Sequence, residues 1–218
     1  MFCFWSGLII FETLIEIRII AEQNNMDKLA SIVSVGGWNT KLFIPQWVGE
    51  NVFCFPSGQK IDVQIDPRQM TVSFRSGDNT FVSSERGIEF RTTNLSPENL
   101  SELDKMHKHL NDILVFTPIV AFGFNIHLIM TPEEFGTTKI SEVIPLPSIN
   151  GLRTSSHVFS NEDAKVSKSV NTLFRKDGKI EIATNYQFSK MEDLPTEGNV
   201  FDIMKDDINT IIGYGVNY

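Results

Sequence analysis

Two stretches of the chain follow the same pattern of alternating residues, and this internal repeat is the feature that most restricts the fold. The stretches are residues 9–33 and 118–144, and each contains a run with apolar residues at every second position. The two stretches correspond position by position, and the paired apolar residues are separated by the same number of positions in every pair. The pairs are Ile15 and Phe124, Ile17 and Ile126, and Ile19 and Leu128. The repeat predicts two similar halves, residues 1–117 and 118–218, fused in a single globular unit.

Each half is predicted to contain the same order of elements. Alternation with a period of two predicts strands, and apolar residues three or four positions apart predict helices. For the first half we expect a strand at 8–21, a short helix at 27–33, short strands near 42–47, 51–56, 60–66 and 69–76, a polar loop over 77–93 that contains one weak strand at 87–92, and a long helix at 96–114. For the second half we expect a strand at 119–130, a short helix within 132–144, a link rich in Pro and Gly at 145–151, strands at 155–160, 164–176 and 179–190, and a closing helix at 199–213.

Local sequence signals support three of these boundaries. Ser96 followed by Pro97 is typical of a helix start, because serine accepts a hydrogen bond from the first turn and proline has no N–H to satisfy there. The segment Asp66-Pro67-Arg68-Gln69 is typical of a turn between two strands. Asp177-Gly178 predicts a tight hairpin.

The two long helices carry apolar stripes at helical spacing. The stripe residues are Leu103, Met106 and Leu110 in the first helix and Phe201, Met204 and Ile208 in the second. Stripes of this kind pack against another element of the fold. We therefore predict an α+β fold with a pseudo-duplicated antiparallel sheet (strand, short helix, several strands, long helix, repeated twice) and with the long helices packed on one face.

This order of elements resembles the saddle of the TATA-box-binding protein family. The resemblance implies that two halves form one curved sheet with the long helices on its convex side. The segment Phe55-Pro56-Ser57-Gly58-Gln59-Lys60 resembles the Ser-Gly-Lys segment between two strands of that family. The second half differs, since it has Arg175-Lys176-Asp177-Gly178-Lys179 instead, and the DNA-facing residues of the family are therefore not carried over to this chain.

The charge of the chain bears on its partners. The formal net charge is −8 at neutral pH, and both halves contain more acidic than basic residues. General affinity for nucleic acid comes mainly from Lys and Arg side chains that neutralise phosphates. The charge therefore favours a protein partner over a nucleic-acid partner.

The cysteines and the first residues of the chain indicate the expected cellular compartment of the protein. Cys3 and Cys54 are the two cysteines and do not form a CxxC motif, so a reducing compartment and a packing role are expected. The apolar opening is interrupted by Glu12, Glu16 and Arg18 well before the ~20 residues that a membrane span needs. We expect a cytoplasmic protein that does not insert into a membrane, and the sequence does not indicate its oligomeric state.

Metal, cofactor and catalytic motifs do not emerge from the sequence. His107 and His109 are two residues apart on a predicted helix and point in different directions, so they cannot share a metal ion. The chain lacks the phosphate-binding, nucleophile-elbow and zinc-protease motifs. We therefore expect neither a cofactor nor a metal, and no catalytic residue.

The candidate binding residues come from one strand face and from two tryptophans. Asn171, Arg175, Asn185 and Gln187 are predicted to lie on the outer face of two strands joined by the tight hairpin. Trp38 and Trp47 flank an apolar segment and, if partly exposed, would anchor another protein. We interpret the protein as a non-enzymatic module that binds a protein or peptide, as a subunit of a larger cytoplasmic assembly.

Two alternatives stay open at this point. The first is a nucleic-acid-binding saddle that uses a set of basic residues: Lys165, Lys168, Arg175, Lys176 and Lys179. The second is an enzyme in which His127 acts as a general base near Asp62 or Asp66. The two alternatives require different arrangements of side chains, so the fold distinguishes between them.

Overall fold

The structure is a computed structural model. It describes residues 27–56, 59–137, 153–159, 166–175, 177–188, 200–202 and 204. The predicted strand at 8–21 and the predicted link at 145–151 lie outside the described residues. The predicted closing helix at 199–213, including Ile208, lies mostly outside the described residues.

Nine antiparallel strands of the described residues form one sheet. Their bounds are β1 Lys28–Gly36, β2 Asp62–Asp66, β3 Thr71–Ser76, β4 Asn79–Ser84, β5 Gly87–Thr92, β6 Ile119–Met130, β7 Arg153–Phe159, β8 Val166–Phe174 and β9 Ile180–Phe188. Their order across the sheet is β2-β3-β4-β5-β1-β6-β9-β8-β7. The strands β1 and β6 therefore lie side by side at the centre, and the remaining strands of each half extend outward from them.

The described helices are short apart from one. They are a 3₁₀ turn at Thr40–Leu42, α1 Pro45–Asn51, α2 Pro97–Ile113 and α3 Pro132–Gly136. Residues 200–202 and 204 are also helical. The chain is thus an α+β protein with a large antiparallel sheet and few helices, and within its described residues no helix combines the length and the apolar character needed to cross a membrane.

Hydrogen bonds at the helix starts explain why the second and third helices begin where they do. Ser96 accepts a hydrogen bond from the backbone N–H of Asn99 at 3.3 Å, which confirms the predicted cap of α2. At the start of α3, Thr131 and Glu134 form a reciprocal capping box. The backbone and side-chain hydrogen bonds that Thr131 donates hold the pKa of the Glu134 carboxyl below its usual range.

Two turns also have the predicted chemistry. The Asp66 carboxylate accepts hydrogen bonds from the backbone N–H of Arg68 and Gln69, at 2.8 and 3.2 Å, and joins β2 to β3. Gly178 has a φ of 82°, a left-handed conformation that glycine adopts without strain, and its turn joins β8 to β9. Both hairpins are confirmed.

The prediction of a short helix at 27–33 is wrong, because these residues belong to the central strand β1. Ala30, Ile32 and Ser34 are buried at alternate positions, which is the period of a strand. Both edges of β1 are hydrogen-bonded, to β5 on one side and to β6 on the other. The strand beside β6 on this side is therefore β1.

Three further predictions for the first half are wrong. The region of the expected strands at 42–47 and 51–56 contains α1, which begins with Pro45 and buries Val48. A proline at the first helical position explains this start, since it has no N–H to leave unpaired. The expected loop over 77–93 contains β4 as well as the predicted strand at 87–92.

The core lies on one face of the sheet. Aromatic side chains dominate it, and Phe81, Phe90, Phe122 and Phe124 are at most 1% exposed. The apolar stripe of α2, Leu103, Met106 and Leu110, is buried in the same cluster. Phe201 and Met204 are also buried there, and the ring of Phe201 lies 6.0 Å from that of Phe124.

Candidate docking surface on the open face of the sheet

The face of the sheet opposite the core is called the open face here, and β6 shows the division most clearly. Along β6, buried residues such as Phe122, Phe124 and Ile126 alternate with partly exposed Gly123 and Asn125. The described helices contribute their buried apolar side chains to the core on the other face. The open face therefore presents every second residue of the sheet.

A row of polar side chains crosses the centre of the open face. The strand register places Ser31 of β1 beside Asn125 of β6, Asn185 of β9 and Ser169 of β8. Asn125 donates a hydrogen bond to Ser31 Oγ at 3.2 Å, and Asn185 donates one to the carbonyl oxygen of the Asn125 side chain. These hydrogen bonds hold the amides in one orientation across three strands.

A charged cluster lies beside this row in the second half. Nε2 of His127 lies 2.8 Å from Oε1 of Glu181. The other carboxylate oxygen of Glu181 lies 3.7 Å from the Arg175 guanidinium, which also pairs with Asp177 at 3.1 Å. The positive charge of Arg175 is therefore largely matched by neighbouring carboxylates.

The first half of the open face forms a shallow groove with a volume of about 1010 Å³. Its lining residues include Asp62, Ser73, Arg75, Val82, Glu89 and Arg91. Arg91 lies beside Ser31 in the register, and its guanidinium contacts the Glu89 carboxylate at 2.6 Å. Nε of Arg91 is buried and has no hydrogen-bond partner within the described part of the chain. The groove thus presents the Glu89–Arg91 ion pair among further charged, polar and apolar side chains.

The structure places four of the six predicted binding residues on one face of the sheet. Asn185 lies in the central row, and Asn171 and Gln187 lie on the same open face of β8 and β9. Arg175 follows β8 and reaches Glu181 on this face. The four residues therefore share the open face, with Gln187 and Arg175 toward opposite ends of β8 and β9.

The two tryptophans do not join that surface. Trp38 is 6% exposed, and its indole N–H donates to the carbonyl oxygen of Ser34 at 3.1 Å. Trp47 is half-buried and packs against Phe43, with 5.7 Å between ring centroids. Trp38 is therefore not an exposed anchor for another protein, because its ring is part of the core.

The residues of the proposed catalytic alternative are not brought together. Asp62 and Asp66 lie on β2, which is five strand positions away from β6 and His127. At about 4.8 Å per strand this separation is roughly 24 Å. His127 contacts Glu181 instead.

The basic residues of the nucleic-acid alternative do not form one surface either. Lys168 belongs to the face of the core, where its ammonium lies 4.8 Å from the centre of the Tyr186 ring. Arg175 is paired with Asp177 and Glu181. The Nζ atom of Lys179 lies 3.2 Å from Oδ1 of Asp27. Lys165 and Lys176 lie outside the described residues.

The sequence does not predict several residues of this surface. They are Ser31, Glu89, Arg91, Gly123 and Asn125. The sequence predicts a helix at Ser31, and a helix does not place this side chain beside Asn125. The alternation along β6 is the signal that places Gly123 and Asn125 on the outer face.

Comparisons with known proteins do not assign this chain to a family. No protein-family model matches it, and no curated protein sequence matches it significantly. Among the described residues, no group of three or more His, Cys, Asp or Glu side chains is placed to hold a metal ion.

Proposed function

We propose that the protein is a non-enzymatic module whose open face binds another protein or a peptide, as a subunit of a larger cytoplasmic assembly. The observation that carries this proposal is the hydrogen-bonded row of Ser31, Asn125 and Asn185. A row that is already ordered loses little conformational entropy when a partner binds. Its amides both donate and accept hydrogen bonds, as peptide groups do.

The strand order supports a duplicated architecture for this module. We propose that residues 1–117 and 118–218 are two related halves, with β1 and β6 as equivalent central strands. In support of this, β1 is followed outward by β5, β4, β3 and β2, and β6 by β9, β8 and β7. The open face would then be one surface that spans both halves.

The distribution of charge favours a polypeptide over a nucleic acid as the partner. Arg91 and Arg175 on the open face are each within ion-pair distance of a carboxylate. Binding of a phosphate backbone depends on cations that exchange their counterions for phosphates. Cations already paired with carboxylates are poorly suited to this exchange.

The proposal is tested with a charge change confined to the open face. We expect the variant Asn171→Lys with Gln187→Lys to retain its melting temperature, since neither side chain is buried, and to lose the partner recovered from native cells by affinity capture. The control is Glu102→Lys on the exposed side of α2, which changes the net charge by the same amount. Equal recovery with all three proteins would show that the open face is not the docking surface.

A further inference from the structure

Gly123 occupies the middle of the open face. It lies on the central strand β6, opposite Val33 of β1 and Gln187 of β9. A glycine inside a strand weakens it, because it adds backbone entropy to the unfolded chain and has no side chain to pack. The surroundings of residue 123 therefore have to account for a glycine at this position.

The fold itself does not require glycine at residue 123. A Cβ atom there would lie 3.5 Å from Nδ2 of Asn185 and 3.9 Å from Cβ of Val33, which are ordinary contact distances. The positive-φ glycines of the described chain are Gly77 and Gly178, so residue 123 has a backbone conformation that other residues adopt.

Two other strand glycines are different in this respect. A Cβ atom at Gly36 would lie 2.4 Å from the carbonyl oxygen of Pro118, and one at Gly87 would lie 2.5 Å from that of Ser34. Those two glycines are explained by the close approach of neighbouring backbone. Gly123 has no such explanation within the described residues, and its missing side chain leaves a notch in the open face.

The surroundings of the notch show what it would accept. Small apolar residues border the notch on the side of β1 and along β6, since Val33 lies beside Gly123 and Val35 lies beside Ala121. Amide side chains border one side, with Asn125 and Asn185 in contact distance of the notch. The paired Glu89 and Arg91 lie on β5, one strand beyond Val33.

We infer that this notch receives an extended, uncharged segment of a partner polypeptide, whose backbone passes directly over Gly123. Proteins use strand glycines where a ligand or another backbone approaches closely. Asn185 and Gln187 then exchange hydrogen bonds with the peptide groups of the segment, and Val33 contacts one of its apolar side chains. This inference rests on the proposed function, of which it names the binding point and the partner chemistry.

An extended segment suits the notch better than a helix does. A helix with its side chains is about 10 Å across, so its backbone stays about 5 Å from any flat surface that it contacts. The notch is one residue wide and is bordered by ordered side chains. An extended chain exposes its peptide groups along its length and reaches the floor without that separation.

The test uses a library of short linear peptides displayed on phage and selected against the full chain. Selected peptides are then synthesised and their dissociation constants are measured by fluorescence anisotropy with the wild-type protein and with Gly123→Leu. We expect uncharged sequences to be enriched and Gly123→Leu to weaken their binding roughly tenfold or more. The melting temperature of Gly123→Leu, measured in parallel, is expected to stay close to that of the wild type.

The control variant is Thr80→Leu, which places the same leucine side chain on the open face three strand positions away from β6. We expect it to bind the selected peptides as the wild type does. A second probe is a short oligothymidine, for which we expect no binding that depends on residue 123. Binding of the oligothymidine that is lost in Gly123→Leu would overturn the assignment of a polypeptide.

The remaining outcomes separate this inference from the proposed function. Peptides that lose affinity in Asn171→Lys with Gln187→Lys but not in Gly123→Leu would refute the notch and support the open face. Failure to enrich any peptide would also refute the notch, while loss of the native protein partner in the double-lysine variant would still support the docking surface. Peptides that are insensitive to both variants would count against both proposals.

Discussion

Nε2 of His107 lies 2.9 Å from Oγ of Ser34, and this hydrogen bond joins α2 to the central strand β1 inside the core. The amide nitrogen of Asn111, one helical turn later, lies 3.1 Å from the same ring nitrogen. The imidazole is also surrounded by Phe90, Phe122 and Phe124, at centroid distances of 5.6 to 6.1 Å. Burial, with a smaller contribution from Lys108, lowers the pKa of His107 to about 3.

The buried histidine predicts that acid destabilises the protein well above the range in which carboxylates titrate. The unfolded chain binds a proton at His107 near pH 6.5, and the folded protein does so only near pH 3. Stability from this group is therefore complete above pH 6.5 and is lost progressively as the pH falls towards 3. Between pH 7 and pH 5 we expect a loss of about 2 kcal/mol in the free energy of unfolding.

Urea denaturation at a series of pH values between 5 and 7 measures this loss. The matched variant is His107→Gln, which has no titrating group at this position. It is expected to be less stable at pH 7, because the contacts of the imidazole ring are lost, but to depend less on pH. Parallel pH profiles for the wild type and the variant would show that His107 is not the group responsible.

The burial of Met106 and Met204 predicts a large effect of a charge at either position. Met106 is 6% exposed and Met204 is fully buried. Either Met→Asp change places an unpaired carboxylate in the core, and we expect it to lower the free energy of unfolding by several kcal/mol. The control is Lys105→Asp on the exposed side of α2. Denaturation curves like that of the wild type would contradict the placement of these side chains.

The glycines of the sheet predict opposite effects of the same substitution. Gly36→Ala and Gly87→Ala force a methyl group against a backbone carbonyl oxygen, and we expect each to destabilise the protein by more than about 1 kcal/mol. Gly123→Ala meets ordinary contact distances, and we expect it to be neutral or to stabilise the protein by up to about 1 kcal/mol. Thermal melting of the three variants distinguishes the two classes. A strong loss in Gly123→Ala would mean that the fold needs this glycine.

Binding to nucleic acid is predicted to be weak at physiological salt. The chain carries a net charge of −8, and the carboxylates of Asp62 and Asp66 lie on the open face with the arginines of the groove. Fluorescence anisotropy with short duplex and single-stranded DNA over a range of salt concentrations provides the measurement. Tight binding that falls steeply as salt rises would reverse this conclusion, because that dependence is the mark of phosphate contacts.

The sequence alone identified the elements that carry strong local signals. The cap at Ser96 located α2, the turn at Asp66 located the hairpin of β2 and β3, and Asp177-Gly178 located that of β8 and β9. The period-two pattern of residues 119–130 located β6. Each of these signals acts between residues that are close in the chain, so its physical cause is visible in a short stretch of sequence.

Only the tertiary structure decided the identity of β1 and the centre of the candidate site. Residues 28–36 combine an apolar pair at helical spacing, Leu29 and Ile32, with the β-branched residues Val33 and Val35. They form a strand in which β5 and β6 supply hydrogen bonds on both edges. The side chains of Ser31 and Asn125 meet although they are 94 residues apart, and the notch at Gly123 exists because β1 and β9 lie beside β6. Contacts between strands that are distant in sequence depend on the register of the whole sheet, and no single stretch of the chain specifies that register.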